Sequence, residues 1–373
     1  MVNKQVQKAG DNSQQIQTEH TTVNNYIGIE EKRVREICDE VFFKLKEYYT
    51  KEALEIANER VADFENRLIT KLKTIDGSFQ SFTDPSFQLL LMEAQKRAAA
   101  TERPADYDLL SELLIQRFQK GNNRIIRTGI SHAVKIIDEV SDDALLGLTI
   151  FYSMGSFFPM NGEIILGLND INEVFDKLIY GTLPKGTGWL DQLDILGAIR
   201  VSNFGRPKKF EQYYSEIIDG YISTGIRKNS DNFLQANRLI ELNHLPQSTL
   251  IEHELNPDFV RLKLCSSKHI DSIIVEKNQI INGMLINENV PLSDIQKKCI
   301  TEILDLYDND TEIKQQNIIK FIQEWNKIPN LKAIREWWNN IHLNIQLTSV
   351  GRILAQVNAQ RCDNTLPTII FEY

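Results

Sequence analysis

The chain has 373 residues, 42% of them hydrophobic, which is enough apolar surface for more than one buried core and excludes an intrinsically disordered protein. Its 51 acidic and 42 basic side chains leave a formal net charge of −9, a balance that argues against unguided nucleic-acid binding unless basic residues are concentrated locally. Cys38, Cys265, Cys299 and Cys362 lie far apart with no C-x-x-C pair, so neither a disulfide framework nor a zinc ribbon is expected, and a reducing cytoplasm fits best.

The N-terminus is polar and shows no apolar stretch of the kind a secretory signal needs. Residues 1–28 are rich in Gln, Asn and Thr and lack Leu, Phe and Trp, a composition typical of disorder. Within them, β-compatible pieces around Val6, Ile16 and Val23 to Tyr26 and Ile27 are separated by Gly10-Asp11-Asn12-Ser13 and by Glu19-His20, which suit chain reversal. Such a ribbon has too few apolar residues to stand alone, but copies from several chains can pair edge to edge and stack Gln and Asn in ladders. Two readings stay open: an assembly tail with Gly10, Asn12, Ile16, Val23, Tyr26 and Ile27 at a homo-oligomer interface, and a flexible tail.

From residue 29 to 77 the period becomes helical. Val34, Ile37, Val41, Leu45 and Tyr48 are spaced by three or four, Thr50 is a break or N-cap, and the spacing resumes through Ala57, Val61, Phe64, Leu68 and Leu72 to a stop at Asp76-Gly77. Packing onto a partner chain and packing onto the body of the same chain are equally consistent with this segment. Residues 78–220 read as a helical domain punctuated by Pro85, Pro104, Gly121, Pro159 and the loop 181–188. The uncharged stretch 144–162 has the length of a membrane span, but its glycines, Pro159 and the Ser141-Asp142-Asp143 cap predict a buried core helix running into a loop.

Residues 221–373 change character. A helix over Phe233, Ala236, Leu239 and Ile240 precedes two alternating runs that predict a hairpin over 249–265, with Ile251, His253 and Leu255 on one face. Glu252 and Glu254 are then expected opposite Arg261 and Lys263, and helix followed by hairpin outlines a winged-helix unit. After Lys268 the pattern reads as helices broken at 287–291 and 307–310. The end reads as a strand over 341–347, an N-cap at Thr348, a short helix over 350–357 and a last strand over 368–371.

Chemistry is sparse. His244, His253, Cys265 and His269 fall within 26 positions and offer zinc-ligand types, against which His253 on an apolar strand face reads as a packed core histidine. Asp305 with Glu312-Ile313-Lys314 reads as a solvated loop, not a metal-nuclease site. The loop Gly181-Thr182-Leu183-Pro184-Lys185-Gly186-Thr187-Gly188 matches no nucleotide-binding fingerprint and reads as a connection. Two acid-free basic runs are the strongest signal: Arg117, Lys120, Arg124, Arg127 and Lys135 in one, Arg200, Arg206, Lys208 and Lys209 in the other. If they converge they form an anion site for phosphates. Neutralisation of acidic neighbouring helices is the weightier competing reading. Trp337 and Trp338 read as core or interface anchors.

The stretches AGDNSQQIQ, NNYIGIEEKRVREICDEVF, MEAQKRAAATERPADYDLLSELLIQR and LTSVGRILAQVNAQR resemble an uncharacterised bacterial family that opens with a polar Gly-Asp-Asn-Ser segment and closes with a Leu-Thr-x-x-Gly helix. The closing Leu347-Thr348-Ser349-Val350-Gly351 is also similar to the end of abortive-infection-type proteins and to the last strand and helix of winged-helix regulators. The resemblance implies a role in phage defence or in policing mobile elements and transfers no active-site residue.

The expected architecture is mainly α, with a small winged-helix-like β-hairpin module and a β-prone tail, divided as 1–28, 29–77, 78–220 and 221–373. The expected function is a non-enzymatic homo-oligomeric interaction or sensor protein in anti-phage defence, triggered by a phage-derived or nucleic-acid-derived signal, without cofactor or membrane. A metal-dependent nuclease or other effector enzyme and a winged-helix DNA binder are the alternatives.

Overall fold

Apolar residues spaced by three and four build the first two helices, α1 (Glu31–Phe43) and α2 (Lys51–Leu72), and Thr50 caps α2 by accepting the Ala53 N–H. The computed structural model describes residues 29–120, 123–202, 204–205, 207–281 and 284–368. The expected assembly residues between Gly10 and Ile27, Arg206, and most of the expected last strand lie outside them. Val34, Ile37 and Val41 of α1 and Ala57, Val61, Phe64, Leu68 and Leu72 of α2 are buried against the body of the same chain, while Tyr48 between the helices is exposed.

The body is a stack of helices. Pro85 and Pro104 open α3 (Pro85–Ala100) and α4 (Pro104–Gln119), where a missing N–H costs nothing. Then come α5 (Arg124–Ile136), α6 (Asp142–Ser156), α7 (Ile164–Leu178) and α8 (Gly188–Ile195). Ser141 caps α6 as expected, and α6 is almost wholly buried, so its apolar run is core. No helix among the described residues is long and apolar enough to cross a membrane.

A two-stranded antiparallel sheet then ties distant parts of the chain. Strand β1 (Ile199–Ser202) pairs with β7 (Asn344–Leu347), with Ile199 opposite Leu347. Helices α9 (Phe210–Ser215), α12 (Thr311–Asn326), α13 (Pro329–Asn339) and α14 (Ser349–Cys362) complete this body, and α14 packs on α4, α5 and α6. One hydrophobic core therefore runs from Val34 to Leu366.

The closing Leu-Thr-x-x-Gly motif has a physical account here. Thr348 Oγ1 lies 2.8 Å from both the Gly197 and Ala198 carbonyls and accepts the Gly351 N–H, while the Thr348 N–H donates to Ala198 O. A Cβ on Gly351 would stand 2.0 Å from Ala198 O, so only glycine lets α14 approach the α8–β1 turn this closely.

A second, smaller core gathers Ile226, Ala236, Ile240, Leu262, Ile300 and Ile303. It contains β2 (Ile226–Arg227), α10 (Asp231–Leu242), β3 (Leu250–Glu252), β4 (Phe259–Leu262) and α11 (Asp294–Leu304), with the strands in the order β2-β4-β3. The expected hairpin is present, but its register differs. Ile251 stands opposite Arg261 and Glu252 opposite Val260, because β3 ends at Glu252 and residues 253–258 form the connection. Glu252 pairs instead with Lys228, and Lys263 with Glu163, while Glu254 does meet Arg261 as expected. All four residues of β4 are buried, as befits a central strand covered on both faces, so the alternation expected of a half-exposed hairpin fails.

The helices expected after Lys268 give way to a second hairpin, β5 (Ile274–Ile281) with β6 (Met284–Pro291), from Ile274 opposite Pro291 to Ile281 opposite Met284. The sequence between the strands, Asn282-Gly283, is the strongest short hairpin signal available, and it outweighs the weak helical spacing there.

Candidate functional site

A cavity of about 770 Å³ lies between the loop 181–187 and one face of α13. That volume is in the range of small-molecule sites. From α13 it takes Asn330, Ala333, Glu336 and Trp337, whose spacing of three and four places them on one helical face, and Asn340 follows as the C-cap. The opposite wall is the loop with Trp189 and Leu190 of α8, and Ile341 and His342 close one end.

Its walls are held by packing and by one well-placed hydrogen bond. Trp337 Nε1 donates to Pro184 O at 2.9 Å, fixing the loop against α13, and the Trp189 and Trp337 rings lie 5.7 Å apart between centroids. Both indoles are largely buried and present a small part of their surface to the cavity. On the far side Gly147 of α6 makes room, since a Cβ there would stand 2.7 Å from the Trp189 ring and 2.8 Å from Pro184. Gly186, with φ of +72°, adopts the left-handed conformation the loop needs. Asn330 donates to Asp176 at 2.9 Å and so links α13 to α7. The interior is apolar, and Lys185, Glu336, His342, Thr182 and Thr187 supply polar groups around it. Such a site can hold a flat, largely apolar molecule with a hydrogen-bonding edge.

The basic runs are distributed differently from the expected concavity. Arg117 near the end of α4 and Arg127 in the second turn of α5 converge on one hydroxyl: both donate to Ser86 Oγ, at 2.9 and 3.3 Å. Ser86 in turn donates to Asp84, 2.5 Å away, which also caps α3 by accepting the Phe87 N–H. Lys120 is half-buried beside this junction, and Arg124 is exposed one turn before Arg127. Burial lowers the Lys120 pKa, and burial followed by the neighbouring Arg127 charge lowers that of Arg117.

The second run is engaged elsewhere. Lys208 pairs with Glu216 at 2.6 Å, Lys209 Nζ donates to the Asn339 carbonyl at the C-terminus of α13, and Arg200 bonds the carbonyl of Ile199. Among the described residues no hydrogen bond or ion pair joins the two runs, which lie on the α4–α5 junction and on the strand–helix segment strapped to α13.

The zinc-type residues do not gather. His253 is buried as a packed histidine: its Nδ1 accepts the Leu255 N–H and its Nε2 lies 2.7 Å from Ser223 O, the pattern of a neutral ring that donates from Nε2. Burial lowers its pKa to about 4. Among the described residues no three His, Cys, Asp or Glu side chains stand where they could hold a metal ion together. Asp305 ends α11 and Asp310 caps α12, so the loop is shorter than expected and Glu312-Ile313-Lys314 lie in the first turn of α12.

A winged-helix DNA contact would depend on Arg261 and Lys263; Lys263 is paired with Glu163, and Arg261 is fully buried. Its guanidinium pairs with Glu254 at 2.5 Å, donates to the carbonyls of Gly162, Leu262 and Leu264, and lies over the Tyr221 ring. It joins the two cores and does not face solvent. Trp337 and Trp338 are buried anchors, as expected, and Trp337 is also a cavity wall. The loop 181–188 carries no motif that marks a cavity; the sequence signals are the glycine spacing around Pro184 and the helical spacing of Asn330, Ala333 and Trp337.

A family model matches residues 28–367. No curated protein and no solved structure matches.

Proposed function

The chain belongs to the family whose model spans residues 28–367, and from that premise we propose a non-enzymatic, homo-oligomeric sensor or interaction protein of the cytoplasm, acting in anti-phage defence. Its trigger is a small molecule with a flat aromatic group, and a nucleobase-bearing product of nucleic-acid breakdown fits that description. The cavity between the loop 181–187 and α13 carries the reading: two indoles, an apolar interior and a polar surround are what stacking and edge recognition of a base require. The defence setting rests on the similarity of the closing Leu-Thr-x-x-Gly segment to abortive-infection-type proteins.

The test is calorimetric titration of the full chain with the four common ribonucleosides and a panel of aromatic fragments. Saturable binding of at least one compound, weakened tenfold or more when Ala333→Trp fills the cavity, supports the reading. Ala333 is exposed on the cavity face of α13, so the substitution is compatible with the fold. Equal binding by wild type and Ala333→Trp, or none by either, contradicts it. Light scattering tests assembly: a defined oligomer from the full chain and a smaller species after removal of residues 1–28 is the expected pair of results.

A further inference from the structure

We infer that the junction of α4 and α5 is a binding site for a phosphate group of a small molecule, built from Arg117 and Arg127 with Lys120 beside them and Ser86 as the hydroxyl that organises it. The site is separate from the Trp189–Trp337 cavity and does not depend on its ligand.

The observation is an arginine pair held together without a carboxylate between the two guanidiniums. On neighbouring helices arginines are neutralised directly: Arg67 by Asp108 at 2.7 Å, Arg97 by Asp138 at 3.0 Å and Arg103 by Asp106 at 2.6 Å. Arg117 and Arg127 form no such ion pair among the described residues, yet both are half-buried and both reach the same neutral oxygen. Bringing two like charges together in a partly desolvated place is unfavourable unless an anion joins them. Asp84 supplies one negative charge near Arg117, its Oδ1 accepting the Ser86 hydroxyl and the Phe87 N–H, and one such charge does not balance two guanidiniums. Lys120 follows Arg117 by three residues as the C-cap of α4, and Arg124 and Arg127 are three apart on one side of α5, so four cations border the junction.

A phosphate matches this chemistry. It has several oxygens for two guanidinium forks, it carries close to two negative charges at neutral pH, and it can accept the Ser86 proton as well. The compact geometry, two guanidiniums meeting at one atom, suits a single phosphoryl group better than an extended nucleic-acid backbone, which needs cations spread along its length.

The experiment is equilibrium titration of the full chain with inorganic phosphate and with pyrophosphate at low ionic strength, beside Arg127→Gln and the double variant Arg117→Gln/Arg127→Gln. Saturable binding is expected in the wild type, at least tenfold weaker in Arg127→Gln and lost in the double variant. Far-ultraviolet circular dichroism and the thermal midpoint establish that both variants are folded, and Lys209→Gln, from the other basic run, should bind as the wild type does. Absence of saturable binding at millimolar phosphate and pyrophosphate overturns the assignment, as does unchanged binding in a folded double variant. Binding of a single-stranded oligonucleotide through these arginines without binding of either small anion also overturns it.

Discussion

The molecule joins distant parts of its chain in two physically different ways. In the large core, Thr348 and Gly351 clamp α14 to the α8–β1 turn by hydrogen bonds to backbone and by the closeness that a missing Cβ permits. Between the two cores the joint is polar and buried: Arg261 reaches Glu254 and three carbonyls, and His253 and Asn317 both reach Ser223 O. Glu254 extends the network by accepting the Ile164 N–H at the start of α7, where a carboxylate also meets the positive end of the helix dipole. A steric clamp has no titrating group and should be indifferent to pH. A seam of buried ionisable groups should respond to it, and that difference separates the two.

Removing the guanidinium should have the largest effect. Arg261→Met removes a donor from the carbonyls of Gly162, Leu262 and Leu264 and the cation from Glu254, and breaking a buried pair this way costs about 4 kcal/mol. Chemical denaturation should then show the smaller core melting first; a single transition with unchanged midpoint would show that the seam is not what holds it.

The pH response of His253 comes next. Its folded pKa is held near 4, from an ordinary 6.5, so between those values the unfolded chain takes up a proton that the folded chain refuses. Stability from this group is full above pH 6.5 and falls as pH drops towards 4, by about 3 kcal/mol. Glu65 acts in the opposite sense: burial raises its pKa to about 7, so its contribution is present below its ordinary 4.5 and is lost as pH rises towards 7. The His253 part is therefore read as the difference between wild type and His253→Gln across pH 4 to 6.5. A difference that stays constant over that range would contradict the burial account.

Gly351→Ala should follow, at about 2 kcal/mol, because the new methyl meets backbone that cannot move aside. Its cost should be the same at pH 5 and pH 7, which is the sharpest contrast with the seam. A cost that changes with pH would show that the clamp and the seam are coupled.

Legibility in the sequence followed the same division. Helical spacing identified α1 and α2 with their buried residues, and Thr50, Ser141 and Thr348 were readable as caps because each cap is a local event of three or four residues. The pairing of β1 with β7, across more than 140 positions, left no local trace. Nor did the burial of Arg261, since a charged residue in an alternating run reads as the solvent face until the second covering layer is known. At the sites, the charge run led to Arg117 and Arg127 but could not select them from their neighbours, because Ser86 lies on another helix. The cavity depends wholly on tertiary placement, with walls about 150 residues apart in the chain.

The most direct measurement of the central claim is hydrogen–deuterium exchange of the full chain, read by mass spectrometry, with and without the tightest-binding ribonucleoside or aromatic fragment. The account predicts slower exchange confined to residues 179–190 and 330–342, the two walls of the cavity. Protection elsewhere in the molecule, with these two segments unchanged, would contradict it.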